Sequence, residues 1–377
     1  MHIVEASFAG VGRHVIDLAE AQSNKHDVTV IYGTARRSDD FTQRMGGIKS
    51  VSWVPMEMSR NIGTSDVVTL FRCRGVLKKI QPDVVHGHSS KGGAIARLCA
   101  SGKSSAYYTP NAIYTMNPEL SGLKKWFISI VEHLLSFRTK GIVAVSPEER
   151  DHMIQLGIDK RKITVIPNGI EKPTKYTKAD VRRELGLADD HFIIGFVGRI
   201  DNQKSPKKII DIFKLYLAKT TVDTRLAIVG EGPMLNEMRE YAQVQGVDDH
   251  IDWLGFQNGA WSMCAFDVFF LPSLYEGFPY VLLEAIGVGV PIITSDTANA
   301  SQLITEDNIG HIVSYENNES FAECLVKVSD RCLNPLRKIQ LPVLNGQFLM
   351  ASMEKETTSF YSNPAVAGAD GWQHKDV

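Results

Sequence analysis

The stretch Ser273-Leu-Tyr-Glu276-Gly-Phe-Pro-Tyr-Val-Leu-Leu-Glu284-Ala-Ile-Gly-Val-Gly-Val-Pro291-Ile-Ile-Thr-Ser-Asp296 carries the pattern from which the fold of this chain can be read. The apolar run Val268 to Pro272 before it reads as a buried parallel strand. Gly277 and Pro279 then turn the chain into a short helix, and Pro291 to Thr294 supplies the next strand. Strand, loop, helix, strand is the unit whose loop and helix N-terminus face a ligand in an open parallel sheet. Glu276 falls in that loop and Glu284 inside the helix, so the two carboxylates are expected to address different parts of one elongated ligand.

The segments before this stretch repeat the pattern. Phe192 to Val197, Arg225 to Val229 and Ile251 to Leu254 read as strands, ending in Gly198-Arg199, Gly230-Glu231-Gly232-Pro233 and Gly255-Phe256. Ser205 is expected to cap, and Pro206 to start, a helix running to Leu217. Arg199 and Lys204 then flank a helix N-terminus at a strand's C-terminal end. Two cations beside unpaired N–H groups suit a diphosphate without a metal ion; surface charges at a helix start are the plainer reading. The tight loop at Gly230 has room for a flat base. After the stretch come Gly310 to Tyr315 as a strand, a helix from Glu319 to Val328 and a terminal helix over Gln347 to Phe360.

The first half alternates in the same way. His2 to Phe8 reads as a strand, Ala9-Gly10-Val11-Gly12-Arg13 as a glycine turn, and His14 to Ser23 as a helix, an arrangement that can cradle phosphate. A dinucleotide fingerprint would need glycine where Val15 stands and an acid after the strand Asp27 to Tyr32, which runs instead into Gly33-Thr34-Ala35-Arg36; this counts against a dehydrogenase. His86 and His88 share one face of a strand. They read either as hydrogen-bonded imidazoles or as a metal pair, and no further ligand cluster supports the metal. A helix over Leu123 to Phe137 opens with Lys124-Lys125-Trp126-Phe127, which suits a membrane surface or a partly buried helix start. Ser146-Pro147-Glu148-Glu149 is a strong helix start, and the polar segment from Glu171 to Asp180 is the best linker.

Composition agrees with a two-domain α/β protein of 377 residues, 44% apolar and 22% charged. Five cysteines without a Cys-x-x-Cys pair argue against a disulfide framework or zinc site and fit a reducing cytosol. No run of about 18 apolar residues offers a membrane span, and no secretory signal pattern opens the chain. Residues 1–175 carry 24 Lys+Arg against 16 Asp+Glu, and the remainder 17 against 27, so a basic half precedes an acidic one. That asymmetry points to an anionic partner for the first half, such as a lipid headgroup surface.

Taken together, the ordered motifs resemble the retaining glycosyltransferases of family 4, also described as group 1, over roughly residues 2 to 330. They are Gly10-Val-Gly12-Arg-His-Val, Asp83-Val-Val-His86-Gly-His88-Ser-Ser-Lys91, Val165-Ile-Pro-Asn168-Gly169-Ile, Gly198-Arg199 with Lys204, Gly230-Glu-Gly-Pro233, and Glu276-Gly-Phe with Leu-Glu284-Ala. The resemblance implies the GT-B architecture: two facing Rossmann-like, doubly wound parallel-sheet domains with an interdomain cleft. The expected divisions are residues 1–170 on the acceptor side, a linker over 171–185, a nucleotide-sugar domain over 186–345, a terminal helix over 346–362 crossing back to the first domain, and a disordered tail over 363–377.

By that resemblance Arg199 and Lys204 hold the donor diphosphate and Glu284 the ribose. Glu276 and the backbone of Gly277, Phe278, Pro279, Tyr280 and Val281 hold the transferred sugar. Gly12 lets the first loop close on the phosphates, and Gly230 and Phe256 complete the donor site. His86 sits near the sugar and, with Glu276, Arg199 and Lys204, makes the catalytic set. His88, Lys91 and Asn111 lie on the acceptor side. The resemblance is closest to bacterial enzymes of surface polysaccharide or glycolipid synthesis, acting in the cytoplasm or on the inner face of the plasma membrane. A nucleotide diphosphate sugar, with uridine the expected base, is the co-substrate; no metal, other cofactor or nucleic acid is expected. Asn111 stands where the family pattern often has histidine, and Asn299-Ala300-Ser301-Gln302 replaces its usual glycine pair and acid. Two alternatives stay open: a sugar-nucleotide epimerase, which shares the two-domain architecture, and a nucleotide-sugar-binding pseudo-transferase subunit, which the departures at Asn111 and Gln302 would suit.

Overall fold

In the computed structural model the described residues are all but 60–62, 175, 299, 302, 305–309, 333–345 and 363–377. The tail expected over 363–377 and the departures at Asn299 and Gln302 lie outside them. The chain divides into two compact units, Met1–Gly169 with the chain from Gln347 onward, and Ile170–Gly346.

The first unit begins β1 (His2–Val4), α1 (Ala9–Ser23), β2 (Val28–Gly33), α2 (Asp39–Gly47), β3 (Val51–Met56) and α3 (Ser65–Ile80). It continues with β4 (Val84–His88), α4 (Ser89–Cys99), β5 (Ser105–Thr109), α5 (Gly122–Ser136), β6 (Gly141–Ala144), α6 (Pro147–Gln155) and β7 (Ile163–Val165). Its seven strands are all parallel, in the order β3-β2-β1-β4-β5-β6-β7. Alternate residues of each strand face opposite helical layers. Ile3, Ile31 and Val85 pack with Cys73, Leu77, Ile95 and Ala96 of α3 and α4, whereas Val4, Val30 and Tyr32 pack with Val15, Ile16 and Ala19 of α1. Burial on both faces is why these strands read as nearly unbroken apolar runs.

The second unit holds α7 (Lys178–Leu185), β8 (Phe192–Val197), α8 (Pro206–Leu217), β9 (Thr224–Val229), α9 (Leu235–Gln245) and β10 (Ile251–Gly255). Then come α10 (Gly259–Met263), β11 (Val268–Leu271), α11 (Tyr280–Val288), β12 (Ile292–Ser295), β13 (Gly310–Val313) and α12 (Asn318–Cys332). Its six parallel strands run β10-β9-β8-β11-β12-β13. Strand order therefore reverses between β1 and β4 in one sheet and between β8 and β11 in the other. At such a switch point the flanking loops part and leave a ligand crevice at the strand C-termini.

Three local expectations are corrected. The first strand stops at Val4, and Ser7 makes only an isolated bridge to Arg37. The linker does not extend to 185: Thr177 caps α7 by accepting from the Asp180 N–H, and Gly186 ends it in the left-handed conformation. Arg182 then roots α7 in the second unit, donating to Asp267 at 2.7 Å and to the Ala265 carbonyl at 2.9 Å. Ser205 does not cap α8 with its side chain; it sits at φ +52°, and its hydroxyl meets that of Tyr315 at 3.0 Å.

The last helix, α13 (Met350–Ser362), packs on α1 and β6 of the first unit. Phe360 is fully buried with Leu18, Val143 and Ile166, edge-on to Tyr107. Phe360→Ala should destabilise the first unit by about 3–5 kcal/mol, measured by urea unfolding.

Candidate functional site

The second unit brings the expected donor residues together at its switch point. After β8, Asp201 accepts from the Lys204 N–H and closes a 3-10 turn over Asn202–Lys204. That turn is stitched to the loop after β11. The Leu274 N–H donates to the Gln203 carbonyl at 2.9 Å, and Gln203 Nε2 donates to the Tyr275 carbonyl at 3.1 Å and Glu276 Oε2 at 3.4 Å. Lys204 Nζ reaches Glu276 Oε1 at 2.6 Å, with both side chains largely buried. Arg199 stands beside them, half-exposed, with Nε 3.4 Å from Asp201. Two cations, each paired with a carboxylate, thus stand where the loops after β8 and β11 part.

Glycines set how closely these loops approach. Gly230 has φ +136°, and a Cβ there would lie 1.9 Å from the Gly198 carbonyl oxygen, so no side chain fits between the loops after β8 and β9. Glu284 is buried on α11, and its Oε2 lies 2.7 Å from where a Cβ on Gly259 would stand. Gly259, Gln203 and Asp201 are positioning residues that the sequence reading did not single out. Gly277, Phe278, Pro279 and Tyr280 are buried and Val281 half-buried, so this loop offers a ligand its backbone rather than its side chains. Helix α11 starts immediately after, and its leading N–H groups favour an anion. Phe256, just past β10, is exposed.

In the first unit the expected residues are held by neighbours within the unit. Gly12 is closely packed: a Cβ there would lie 3.0 Å from the Ser7 carbonyl carbon and 3.1 Å from Phe41. Packing alone therefore gives this position a reason to be glycine. Lys91 is bound to Asp66 and to the Ser59 carbonyl, each at 2.7 Å. His86, expected near the sugar, is fully buried, with one ring nitrogen meeting the Tyr361 hydroxyl and the other Thr109 Oγ1 at 2.7 Å, so both of its nitrogens are engaged within the unit.

His86 belongs to a layer of buried imidazoles with His2, His14 and His88. A directed hydrogen-bond chain fixes the tautomers of two of them. Thr358 donates to the Glu354 carboxylate, and Gln22 Nε2 donates to Thr358. Gln22 Oε1 therefore accepts from His2 Nε2 at 2.9 Å, and His2 Nδ1 accepts from His88 Nε2 at 3.0 Å. The chain ends on a bare, unpartnered His88 Nδ1. Burial lowers every one of these basicities: His2 to about 3, His14 to about 4, His86 and His88 well below the ordinary value.

Ligand atoms of His2, His86 and His88 lie within 4.8 Å of one another, the spacing of a metal site among the described residues. Five of those six ring nitrogens are already in hydrogen bonds, so a metal would have to displace that network. Beyond the layer, Asn111 and Ala112 follow β5 at φ +54° and +74°. The buried Glu149 carboxylate clamps them, accepting from the Ala112, Ile113 and Val145 N–H groups at 2.8 Å each. Burial lifts its pKa to about 7 against the lowering effect of those bonds. Asn111 Nδ2 has no hydrogen-bond partner among the described residues.

Comparison with known proteins places both units. Residues 8–172 match the model described as Glycosyltransferase Family 4, and residues 177–332 that described as Glycosyl transferases group 1. The chain is 28% identical over 364 residues to an Escherichia coli UDP-Gal:alpha-D-GlcNAc-diphosphoundecaprenol alpha-1,3-galactosyltransferase, covering 92% of each. It is 28% identical over 193 residues to the lipopolysaccharide 1,6-galactosyltransferase of Escherichia coli K12, covering 49% of this chain and 51% of that one. Anabaena HepE, solved with UDP and glucose, aligns with a TM-score of 0.79 at 17% identity over 96% of this chain and 99% of its own. That likeness gives the GT-B fold.

The imidazole layer makes the fold acid-sensitive. Below their ordinary pKa near 6.5 the unfolded chain binds protons that the folded layer refuses, so stability falls as pH drops toward 4. Each imidazole contributes about 1.4 kcal/mol per pH unit, and Glu149, raised to about 7, offsets one of the four. Urea unfolding at pH 7, 6 and 5 should show this layer losing about 4 kcal/mol per unit at the acid end; a flat profile would contradict buried neutral imidazoles.

Proposed function

This chain belongs to the family 4, group 1 glycosyltransferases with the GT-B fold, and from that premise we propose that it transfers a hexose from a uridine diphosphate sugar to a lipid-diphosphate-linked saccharide. The transfer retains anomeric configuration, needs no metal ion and serves the synthesis of a cell-surface polysaccharide. The observation that carries this reading is the Lys204–Glu276 pair at 2.6 Å, beside Arg199, at the β8/β11 switch point. The whole-length likeness to a galactosyltransferase acting on a diphosphoundecaprenol-linked sugar supports the acceptor class.

The chemistry follows from the charges. As the bond between C1 and the diphosphate oxygen breaks, negative charge builds on the leaving phosphate. Lys204 and Arg199 stabilise it, and so do the N–H groups at the start of α11. Moving the Lys204 ammonium from carboxylate to phosphate leaves Glu276 to accept hydrogen bonds from the sugar hydroxyls, as positive charge develops on the ring. The acceptor oxygen attacks C1 from the face the diphosphate leaves, and its proton passes to the departing phosphate. Glu276 thus positions the sugar and steadies the oxocarbenium-like state, and no covalent glycosyl intermediate is invoked. Glu284, buried on α11 against Gly259, takes the ribose hydroxyls. A lipid-linked acceptor also places the protein on the inner face of the plasma membrane as a peripheral protein.

The test is to incubate the purified protein with UDP-glucose, UDP-galactose, UDP-N-acetylglucosamine and GDP-mannose, with and without a synthetic lipid-diphosphate N-acetylglucosamine acceptor. Acceptor-dependent release of nucleoside diphosphate, an α-linked product by NMR and insensitivity to EDTA are expected. Lys204→Ala and Glu276→Ala should each lower kcat by at least about a hundredfold while keeping the wild-type circular dichroism spectrum at the assay temperature, with some loss of melting temperature because each leaves a buried charge unpaired. Donor conversion without acceptor, or wild-type turnover in either variant, would overturn the assignment.

A further inference from the structure

Helix α5 carries apolar side chains on a face that its own domain leaves bare. Its inward line holds Glu132, Leu135 and Ser136, with Ile128, Ser129 and Val131 half-buried, and Glu132 is buried against Arg97 Nη1 of α4 at 2.8 Å. Its outward line is Leu123, Trp126, Phe127, Ile130 and Leu134, continued by Phe137 just past its end. Those residues recur at helical spacing on one stripe, and Leu123 and Trp126 are 84% and 64% exposed. A helix held to its own domain by a buried ion pair while five apolar side chains face outward has its amphipathic face reserved for another phase. A partly buried helix start, the plain account of Lys124-Lys125-Trp126-Phe127, is removed by these exposures.

The charge around the stripe says what that phase is. Helix α3 packs on α4 and α4 on α5. Within these three helices the only acidic residues are Asp66 and Glu132, and each is bound to a cation of α4, Lys91 at 2.7 Å and Arg97 at 2.8 Å. The remaining charge is all positive: Arg72, Arg74, Lys78 and Lys79 on α3, and Lys124 and Lys125 at the start of α5. Helix α3 adds exposed Val67, Val68 and Phe71. An apolar stripe with a tryptophan at its head, on three helices whose net charge is positive, matches the boundary between anionic headgroups and acyl chains. A second copy of this chain would bring like charges together on that layer and is disfavoured.

We infer that α5 is the membrane-contacting element of this protein, lying in the plane of an anionic bilayer with Trp126 and Phe127 inserted and Lys124 and Lys125 on the headgroups. This deepens the peripheral placement proposed above by naming its surface, and its test needs neither donor nor acceptor, so a failed transferase assay leaves it standing.

The full chain is floated with vesicles of phosphatidylethanolamine and phosphatidylglycerol, and in parallel with phosphatidylcholine alone. It should partition to the anionic vesicles and weaken as salt rises. Lys124→Gln with Lys125→Gln should weaken partition by about thirtyfold at low salt, and Trp126→Ser with Phe127→Ser by at least about tenfold. Lys124, Trp126 and Phe127 are exposed and Lys125 is half-buried, so both variants should stay folded by circular dichroism and keep wild-type UDP-glucose binding. Trp126→Phe should still partition but lose the quenching by brominated lipid seen in the wild type. Absent flotation, equal partition of the Trp126→Ser, Phe127→Ser variant, or a wild-type dimer that this variant dissociates would each overturn the inference.

Discussion

A parallel sheet covered by helices on both faces favours polar chemistry at the ends of its strands, and the second unit follows that constraint closely. β2 and β8 are buried along their whole length, so the loops that follow the strands carry the charge. In the second unit the constraint concentrates the cations and carboxylates at one place, because the sheet order reverses between β8 and β11. The 1.9 Å approach that a Gly230 Cβ would make to the Gly198 carbonyl shows how little room the loops leave around it. One backbone hydrogen bond from Leu274 to Gln203 and the Gln203 side-chain amide on the Tyr275 carbonyl hold the two decisive loops in register. The Lys204–Glu276 pair is therefore fixed by backbone on both sides and not only by its own attraction.

The first unit breaks the rule once, in the imidazole layer, and has to compensate there. Four imidazoles inside an apolar sandwich are tolerable only as neutral, hydrogen-bonded groups. The compensation comes from the end of the chain: Glu354, Thr358 and Tyr361 of α13 anchor the bonds that order His2, His86 and His88. The last helix is thus more than a hydrophobic lid. Its carboxylate sets the direction of a hydrogen-bond chain whose far end, His88 Nδ1, lies at the C-terminal end of β4, beside the β1/β4 switch point.

What could be read from the sequence was local. Arg199, Lys204 and Glu276 fall in glycine-containing loops after strands and Glu284 in the helix that follows one of them, and that pattern carries its own geometry. The imidazole layer was hidden because its partners lie far apart, His86 and Tyr361 by 275 positions, and two histidines on one strand look the same whether they face ligand or core. Gly12 is ambiguous for a related reason, since a glycine packed against Ser7 and Phe41 has the same sequence signature as one needed for a phosphate. Ser205-Pro206 has a capping sequence but a left-handed backbone at Ser205, which aims the hydroxyl at Tyr315. Periodicity was also blind to the bare apolar face of α5, because an apolar stripe repeats identically whether it points inward or outward.

The Asn111 loop shows how a departure from a family pattern can leave a shape intact. Two successive non-glycine residues in the left-handed region are costly, by about 1–3 kcal/mol each, and persist only where surroundings over-determine them. Glu149 supplies that determination through the Ala112 and Ile113 N–H groups, and its third bond, from Val145, ties the loop to the end of β6. Asparagine is among the residues that tolerate this conformation best, which suits it to position 111. The loop's course is set by a carboxylate on α6 and by backbone, so exchanging the side chain at 111 changes the donor or acceptor it presents without changing where it is presented.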